Sequence, residues 1–278
     1  MFKNSFDNKD KKSMLKRPFI ALLIILLAAC STHHSDEYSI SISERTLEKV
    51  NSIIESEIKP NAYLTSGDLL VHTSRLFMDT PYQANTLVHH SDQPYALVVN
   101  FDGMDCFTYL DYVVALSQAS DTPSFFSSLM NIRYKKSHIN FYDRKHFFSD
   151  WYALSPQIAI DITEKMSPDA ITVPKQLNQK VEGGEYIQGL GVIPRMITYI
   201  PSDKITQSVL DNLQNGDLVG VYSPKIGLDV THTGIIVKEN NQILYRNASS
   251  LSKYNKVVDL PFMDYIRSKP GIVVLRVE

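Results

Sequence analysis

The chain has 278 residues, 44% of them hydrophobic and 21% charged, which describes an ordinary globular protein with room for one large domain or two small ones. Lys and Arg number 28 against 30 Asp and Glu, for a formal net charge of −2, and no basic run follows the first 30 residues. Nucleic acid is therefore excluded as an expected partner.

The first element is "MLKRPFIALLIILLAACS", from Met14, a second candidate start, to Ser31. Lys16 and Arg17 precede an apolar run ending at Ala29, which is shorter than the ~20 residues that span a bilayer and has the form of a signal segment over residues 1–29. "LAAC" resembles a bacterial lipobox, so Cys30 is expected to become the first mature residue and to carry a lipid. Ser31 in place of aspartate is similar to outer-membrane lipoproteins of Gram-negative bacteria, which implies a chain anchored in the envelope and facing the periplasm. Residues 30–42, "CSTHHSDEYSISI", are polar and read as a tether.

Residues 43–58 place apolar side chains at helical spacing behind a serine N-cap, and "TSGDLLVHTSRLFMDTPY" predicts a second helix stopped by Pro81. "YALVVNF", residues 95–101, is a strand candidate ahead of the turn at Asp102 and Gly103. From Cys106 onward Phe107, Leu110, Val113, Val114 and Leu116 fall on one helical face. Residues 120–200 mix short elements with Gly and Pro and read as an insertion without a legible secondary structure. Beyond them "LVGVYS", "HTGIIVKENNQILYRNAS" and "GIVVLRV" are β-rich, with a hairpin at Asn240 and Asn241. The predicted class is α+β, helices followed by an antiparallel sheet, in a single domain over residues 43–278.

Only two cysteines are present, and lipidation of Cys30 leaves Cys106 as the one thiol of an oxidising compartment. Such a cysteine is either buried or chemically employed. At a helix N-terminus it faces free backbone amides and the positive end of the helix dipole, both of which favour thiolate. Nucleophilic attack on an amide also needs a base, usually histidine. His33 and His34 fall in the tether, and His89 and His90 in a polar loop. His72, His138 and His146 have no context that suggests a role. His232, in "DVTHTGIIV", begins a strand, where a rigid scaffold can hold the ring; the alternative is a structural histidine.

The order Asp-Cys on a helix, "GD" before a strand, "HTGI" on the next and a polar residue before "AS" on a third resembles papain-like NlpC-type peptidoglycan hydrolases. "DTPYQANTL", "ALVVNFDGMDCFTYLDYVVAL", "RKHFFSDW", "GLDVTHTGI" and "RNASS" are similar, more narrowly, to AmiA-type N-acetylmuramoyl-L-alanine amidases, over about residue 65 to the C-terminus. The resemblance implies a cysteine amidase cutting between N-acetylmuramic acid and L-alanine, with 1,6-anhydro-muropeptides as substrates and no cofactor. It assigns Cys106 as nucleophile, His232 as base and Asn247 as the residue that orients the ring, with Asp105 flanking the nucleophile on the substrate side and Thr108 matching the branch. Tyr109, Leu110 and Asp111 depart from the usual "Cys-x-Thr-Phe-Val-Glu".

Three other readings stay open. A γ-D-glutamyl-diaminopimelate endopeptidase would use the same catalytic residues. A non-catalytic muropeptide-binding lipoprotein would need none of them. A zinc amidase lacks support, since His89 and His90 have no third ligand at readable spacing and no "HExxH" occurs. In "YDRKHFFSDWYAL" the ring of Trp151 is either core or a wall for a sugar, and Arg144 and Asp150 are candidate polar contacts to substrate.

Overall fold

The computed structural model describes residues 39–87 and 95–277. The expected signal segment, the lipid site at Cys30, most of the tether and the His89–His90 pair lie outside the described residues.

The last four tether residues are part of the fold. β1 (Ser39–Ile42) pairs in parallel with β2 (Ala96–Val99), Ser39 opposite Ala96 and Ile42 opposite Val99. This corrects the tether boundary, and the reason is local: the alternation Ser-Ile-Ser-Ile has the period of a strand, and Ile42 packs against the core.

α1 (Glu44–Ile53) starts at Ser43, whose hydroxyl accepts a hydrogen bond from the Thr46 amide at 3.2 Å, and continues in wider turns to Ile58. α2 (Ser66–Arg75) is capped by Thr65. It ends well before Pro81, because the chain tightens into turns in which the Leu76 and Phe77 amides reach back only three residues, to Thr73 and Ser74. Proline is not the terminator that the sequence suggested.

α3 (Cys106–Ser117) is buried from Thr108 through Leu116, so it is enclosed all round rather than apolar on one face. Asp111 and Tyr112 occupy its expected outer face. Asp111 is tolerated there because Arg133, the last residue of α4 (Thr122–Arg133), donates to it at 2.8 Å, with both side chains 1% exposed.

The region without legible elements supplies α5 (Asp150–Ala153), β3 (Ala159–Asp161), α6 (Thr163–Met166), β4 (Ile171–Leu177) and β5 (Ile193–Pro201). Then follow α7 (Gln207–Asn212), β6 (Leu218–Tyr222), β7 (Val230–Glu239), β8 (Gln242–Ala248), β9 (Val257–Pro261), α8 (Phe262–Ile266) and β10 (Gly271–Val277). The main sheet is antiparallel in the order β4-β5-β10-β6-β7-β8-β9. One edge of β10 pairs with β6, and the other is shared by β5 and β3. Residues 120–200 thus build the sheet rather than interrupt it.

Strand alternation gives the sheet two apolar faces. Leu218, Ile235, Val273 and Leu275 join the cluster that contains α3 and α4, while Val219, Ile236, Ile272 and Val274 pack with Val209, Phe262 and Ile266 on the other side. The hairpin between β7 and β8 turns at Asn240 and Asn241, both with positive φ (51° and 60°), as a two-residue turn of the primed type requires.

Candidate active site

Asp105 begins the site. Its extended backbone precedes α3, and its carboxylate accepts from the amides of Phe107 at 3.0 Å and Thr108 at 2.8 Å, while the Thr108 hydroxyl accepts from the Asp105 amide at 3.0 Å. That reciprocal cap fixes the first turn and with it Cys106, the first helical residue. β7 holds the same turn from the side, since the Thr233 hydroxyl donates to the Cys106 carbonyl at 3.0 Å.

His232 stands beside Thr233 on β7, opposite Val221, where the β6–β7 ladder shifts register. Its Nε2 lies 2.9 Å from Oδ1 of Asn247, and Asn247 is fully buried on β8. An amide oxygen only accepts, so Nε2 carries the proton and Nδ1 is bare. The Asn247 amide nitrogen donates to the Tyr245 carbonyl at 3.1 Å, which fixes the orientation of the side chain. The rings of Tyr245 and Tyr265 each lie 6.2 Å from that of His232 and stack on one another at 5.1 Å. Gly234 makes room for this arrangement: a Cβ there would meet the Tyr245 ring at 2.6 Å.

Cys106, His232 and Thr233 line one cleft of about 230 Å³ with Phe107, His146 and Tyr186. Burial pushes the Cys106 thiol up to about 11, and the Asp105 carboxylate adds to the rise, against hydrogen bonds from Thr233 that favour thiolate. This reverses the expectation of a lowered thiol at a helix N-terminus. The amides of that terminus are already occupied by the Asp105 carboxylate, whose charge opposes the dipole that would have stabilised thiolate. Burial also pulls His232 below the ordinary histidine value, opposed by its bond to Asn247, and the charge of Lys269 lowers it further. Both shifts favour the uncharged forms, thiol and imidazole, in the free protein.

Trp151 has no exposed surface and packs its ring against Phe107 at 5.6 Å and Phe148 at 6.4 Å. It is core and offers no face to a sugar. Asp150 is buried in an ion pair with Arg195 at 2.6 Å and accepts from the Phe147 amide, so its carboxylate holds α5 to β5 and does not face the cleft. Arg144 lies over Phe141 and donates to the Leu87 carbonyl at 3.2 Å; it does not line the cleft, although its charge reaches His146. Asp105 adjoins Cys106, with its carboxylate engaged by the helix cap. Thr233, Tyr245, Tyr265 and His146 belong to the neighbourhood of the site yet carried no recognised signal in the sequence. Of these, only Thr233 could have been found there, as the neighbour of His232 on a strand packed against α3. Among the described residues no group of three or more His, Cys, Asp or Glu side chains could hold a metal ion.

A family model described as AmiA-like, N-acetylmuramoyl-L-alanine amidase-like, matches residues 72–272. A crystal structure from Legionella pneumophila str. Philadelphia 1 superposes with a TM-score of 0.71 at 23% identity, covering 85% of this chain and 97% of that one, a likeness of fold. An N-acetylmuramoyl-L-alanine amidase from Bacteroides uniformis is 27% identical with a TM-score of 0.63, over 77% of this chain and 99% of that one. A Bacteroides fragilis structure named provisionally as a xylanase is also 27% identical, with a TM-score of 0.60 over 74% of this chain and 99% of that one. No curated protein matches the sequence. With the family model spanning most of the sheet and the whole of the Cys106–His232–Asn247 arrangement, the chain belongs to the AmiA-like, N-acetylmuramoyl-L-alanine amidase-like family.

Proposed function

We propose that the protein is a cysteine-dependent N-acetylmuramoyl-L-alanine amidase with a papain-like NlpC-type core, acting on peptidoglycan fragments that end in 1,6-anhydro-muramic acid. The observation that carries this reading is the 2.9 Å contact of His232 Nε2 with Asn247 Oδ1, which leaves Nδ1 as a bare base in the cleft that Cys106 lines. Family membership supports the choice of bond.

In this mechanism Nδ1 takes the proton of the Cys106 thiol as Sγ adds to the carbonyl carbon of the muramyl lactyl group. The tetrahedral intermediate collapses by breaking the C–N bond, and the imidazolium returns its proton to the departing amino group of L-alanine. Water, deprotonated by the same nitrogen, then hydrolyses the thioester and regenerates the thiol. Asn247 holds one tautomer and one ring angle through the cycle. Asp105 holds the helix turn that carries Sγ.

The test is mass spectrometry of products from defined anhydro-muropeptides and from intact sacculi. Free anhydro-disaccharide and an intact stem peptide are expected from the fragments. Sugar still bearing L-alanyl-D-glutamate would replace this reading with the endopeptidase. Residues 1–29 and Cys30 support a lipid anchor facing the periplasm, checked by loss of membrane fractionation in Cys30→Ala.

A further inference from the structure

Two clefts of opposite chemical character lie near His232, one lined by it and the other by Tyr265 beside it. The first, which Cys106 and His232 line, is walled by Phe107, Phe147, Tyr186 and Ile187, and among the described residues no lysine or arginine lines it. Asp229 lines it as well, with its carboxylate accepting from the Ser149 and Val230 amides. A carboxylate-bearing ligand would find no cation on the lining and one anion, the charge of Arg144 reaching His146 from outside that lining.

His146 lines this cleft with its ring anchored by a hydrogen bond. Its Nε2 lies 2.8 Å from the Phe141 carbonyl oxygen, which can only accept, so the proton is on Nε2 and Nδ1 is an acceptor. Burial pulls the ring down to about 4, so at neutral pH it stays uncharged and the acceptor persists. Among the described residues Nδ1 has no partner. A fixed acceptor between aromatic walls fits an uncharged ring that bears amide N–H and hydroxyl donors.

The second cleft, about 340 Å³, is lined by Lys253, Tyr254, Asp264, Tyr265 and Lys269. The Lys253 ammonium lies 4.6 Å from the Tyr254 ring centre and Lys269 5.1 Å from that of Tyr265; among the described residues neither has a carboxylate partner. Tyr265 connects this cleft to the site, since its ring is 6.2 Å from His232. Two available cations and one carboxylate, Asp264, fit a peptide rich in carboxylates that also carries an amino group.

We infer that the clefts hold the two halves of the substrate, the sugar against His146 and Tyr186 and the acidic stem peptide against Lys253 and Lys269, with the scissile amide between them at Cys106. This rests on the amidase reading and adds to it a direction of binding. His146 acts as a specificity-determining acceptor for a sugar donor. The lysines select for the charge of the leaving peptide.

The test uses calorimetric titration of the wild-type protein with the two product fragments separately, the anhydro-disaccharide and the free L-alanyl-γ-D-glutamyl-diaminopimelate tripeptide. The double variant Lys253→Gln/Lys269→Gln is expected to weaken the tripeptide about fivefold and to leave the disaccharide unchanged, as loss of two exposed ion pairs implies. His146→Phe is expected to weaken the disaccharide about fivefold and leave the tripeptide unchanged, with most of the affinity retained in His146→Gln, which keeps an acceptor. If His146→Phe melts early, Tyr186→Ala replaces it, because Tyr186 is 41% exposed on the same wall. Reversed selectivity, equal losses for both fragments, or unchanged binding would overturn the assignment, as would wild-type protein that binds neither fragment. Because these are equilibrium titrations without turnover, a failure of hydrolysis counts against the amidase reading alone.

Discussion

Asn247 presents its side-chain oxygen to Nε2 of His232 at 2.9 Å from the neighbouring strand, and nothing of Asn247 reaches solvent. The pair is therefore set by the register of β7 and β8 and owes nothing to a mobile loop. An asparagine in this position defines the histidine's tautomer without adding charge.

Removing that oxygen is expected to lower kcat while KM stays near the wild-type value, since the effect is on ring orientation and not on substrate contact. General acid–base catalysis contributes roughly 10²–10⁴ in rate, and Asn247→Ala should lose about tenfold, less than His232→Ala. Steady-state kinetics of the two variants checks the order. A stability loss in Asn247→Ala with normal kcat would assign the residue to the sheet alone.

The resting thiol gives a second expectation. With Cys106 pushed up to about 11 by burial and by the Asp105 carboxylate, alkylation of the free enzyme should be slow at pH 7 and keep rising through pH 9 and beyond. Asp105→Asn keeps an acceptor for the helix cap and removes the negative charge, which favours thiolate. The rate–pH curve should therefore move to lower pH. Stopped-flow alkylation with iodoacetamide measures both; an unshifted curve would remove Asp105 from the electrostatics of the thiol.

Acid should destabilise the fold through its buried histidines. His146 is held at about 4 by burial, below its ordinary value near 6.5, so between those values the unfolded chain binds the extra proton. Its contribution is complete above about pH 6.5 and is lost as pH falls toward about 4. His232, also lowered, acts in the same direction. The melting temperature should drop across that window, and His146→Gln should flatten the slope.

Asp111 and Arg133 are paired at 2.8 Å with almost no exposure, so breaking the pair on one side is costly. Asp111→Ala leaves a buried guanidinium without its counter-charge and is expected to destabilise by about 3–5 kcal/mol. Asp111→Leu/Arg133→Met should recover most of that loss. Urea denaturation of the single and double variants measures the difference.

Residues that act through local rules were legible. Cys106 falls in the first turn of a helix, the Asn240–Asn241 turn has a two-residue signature, and "HTGI" places His232 on a strand. Cys106, His232 and Asn247 were named as candidates before any coordinates, although a raised thiol was not expected. A sequence shows the helix start but not that Asp105 already occupies its amides, because the outcome depends on which oxygen reaches which N–H. Trp151 and Asp150 failed as contacts for a related reason: aromatic and acidic side chains near a site look the same in sequence whether they face inward or outward, and here Phe148 and Arg195 hold them inside. Tyr265, on α8, and His146 reach the site only through tertiary packing. The four residues of β1 were hidden by polarity, since three of them are exposed in the finished strand.

The Asp105 cap bears on how long the enzyme lasts as well as on how it reacts. Thiolates attack peroxides and disulfides, and a thiol pushed up to about 11 by burial offers little thiolate for that reaction near neutral pH. Burial, with the acid that closes the first turn of α3 adding to it, is thus expected to slow the oxidation of Cys106 as well. A variant tuned for a more acidic thiol would have a shorter working life under peroxide, even if each turnover were faster.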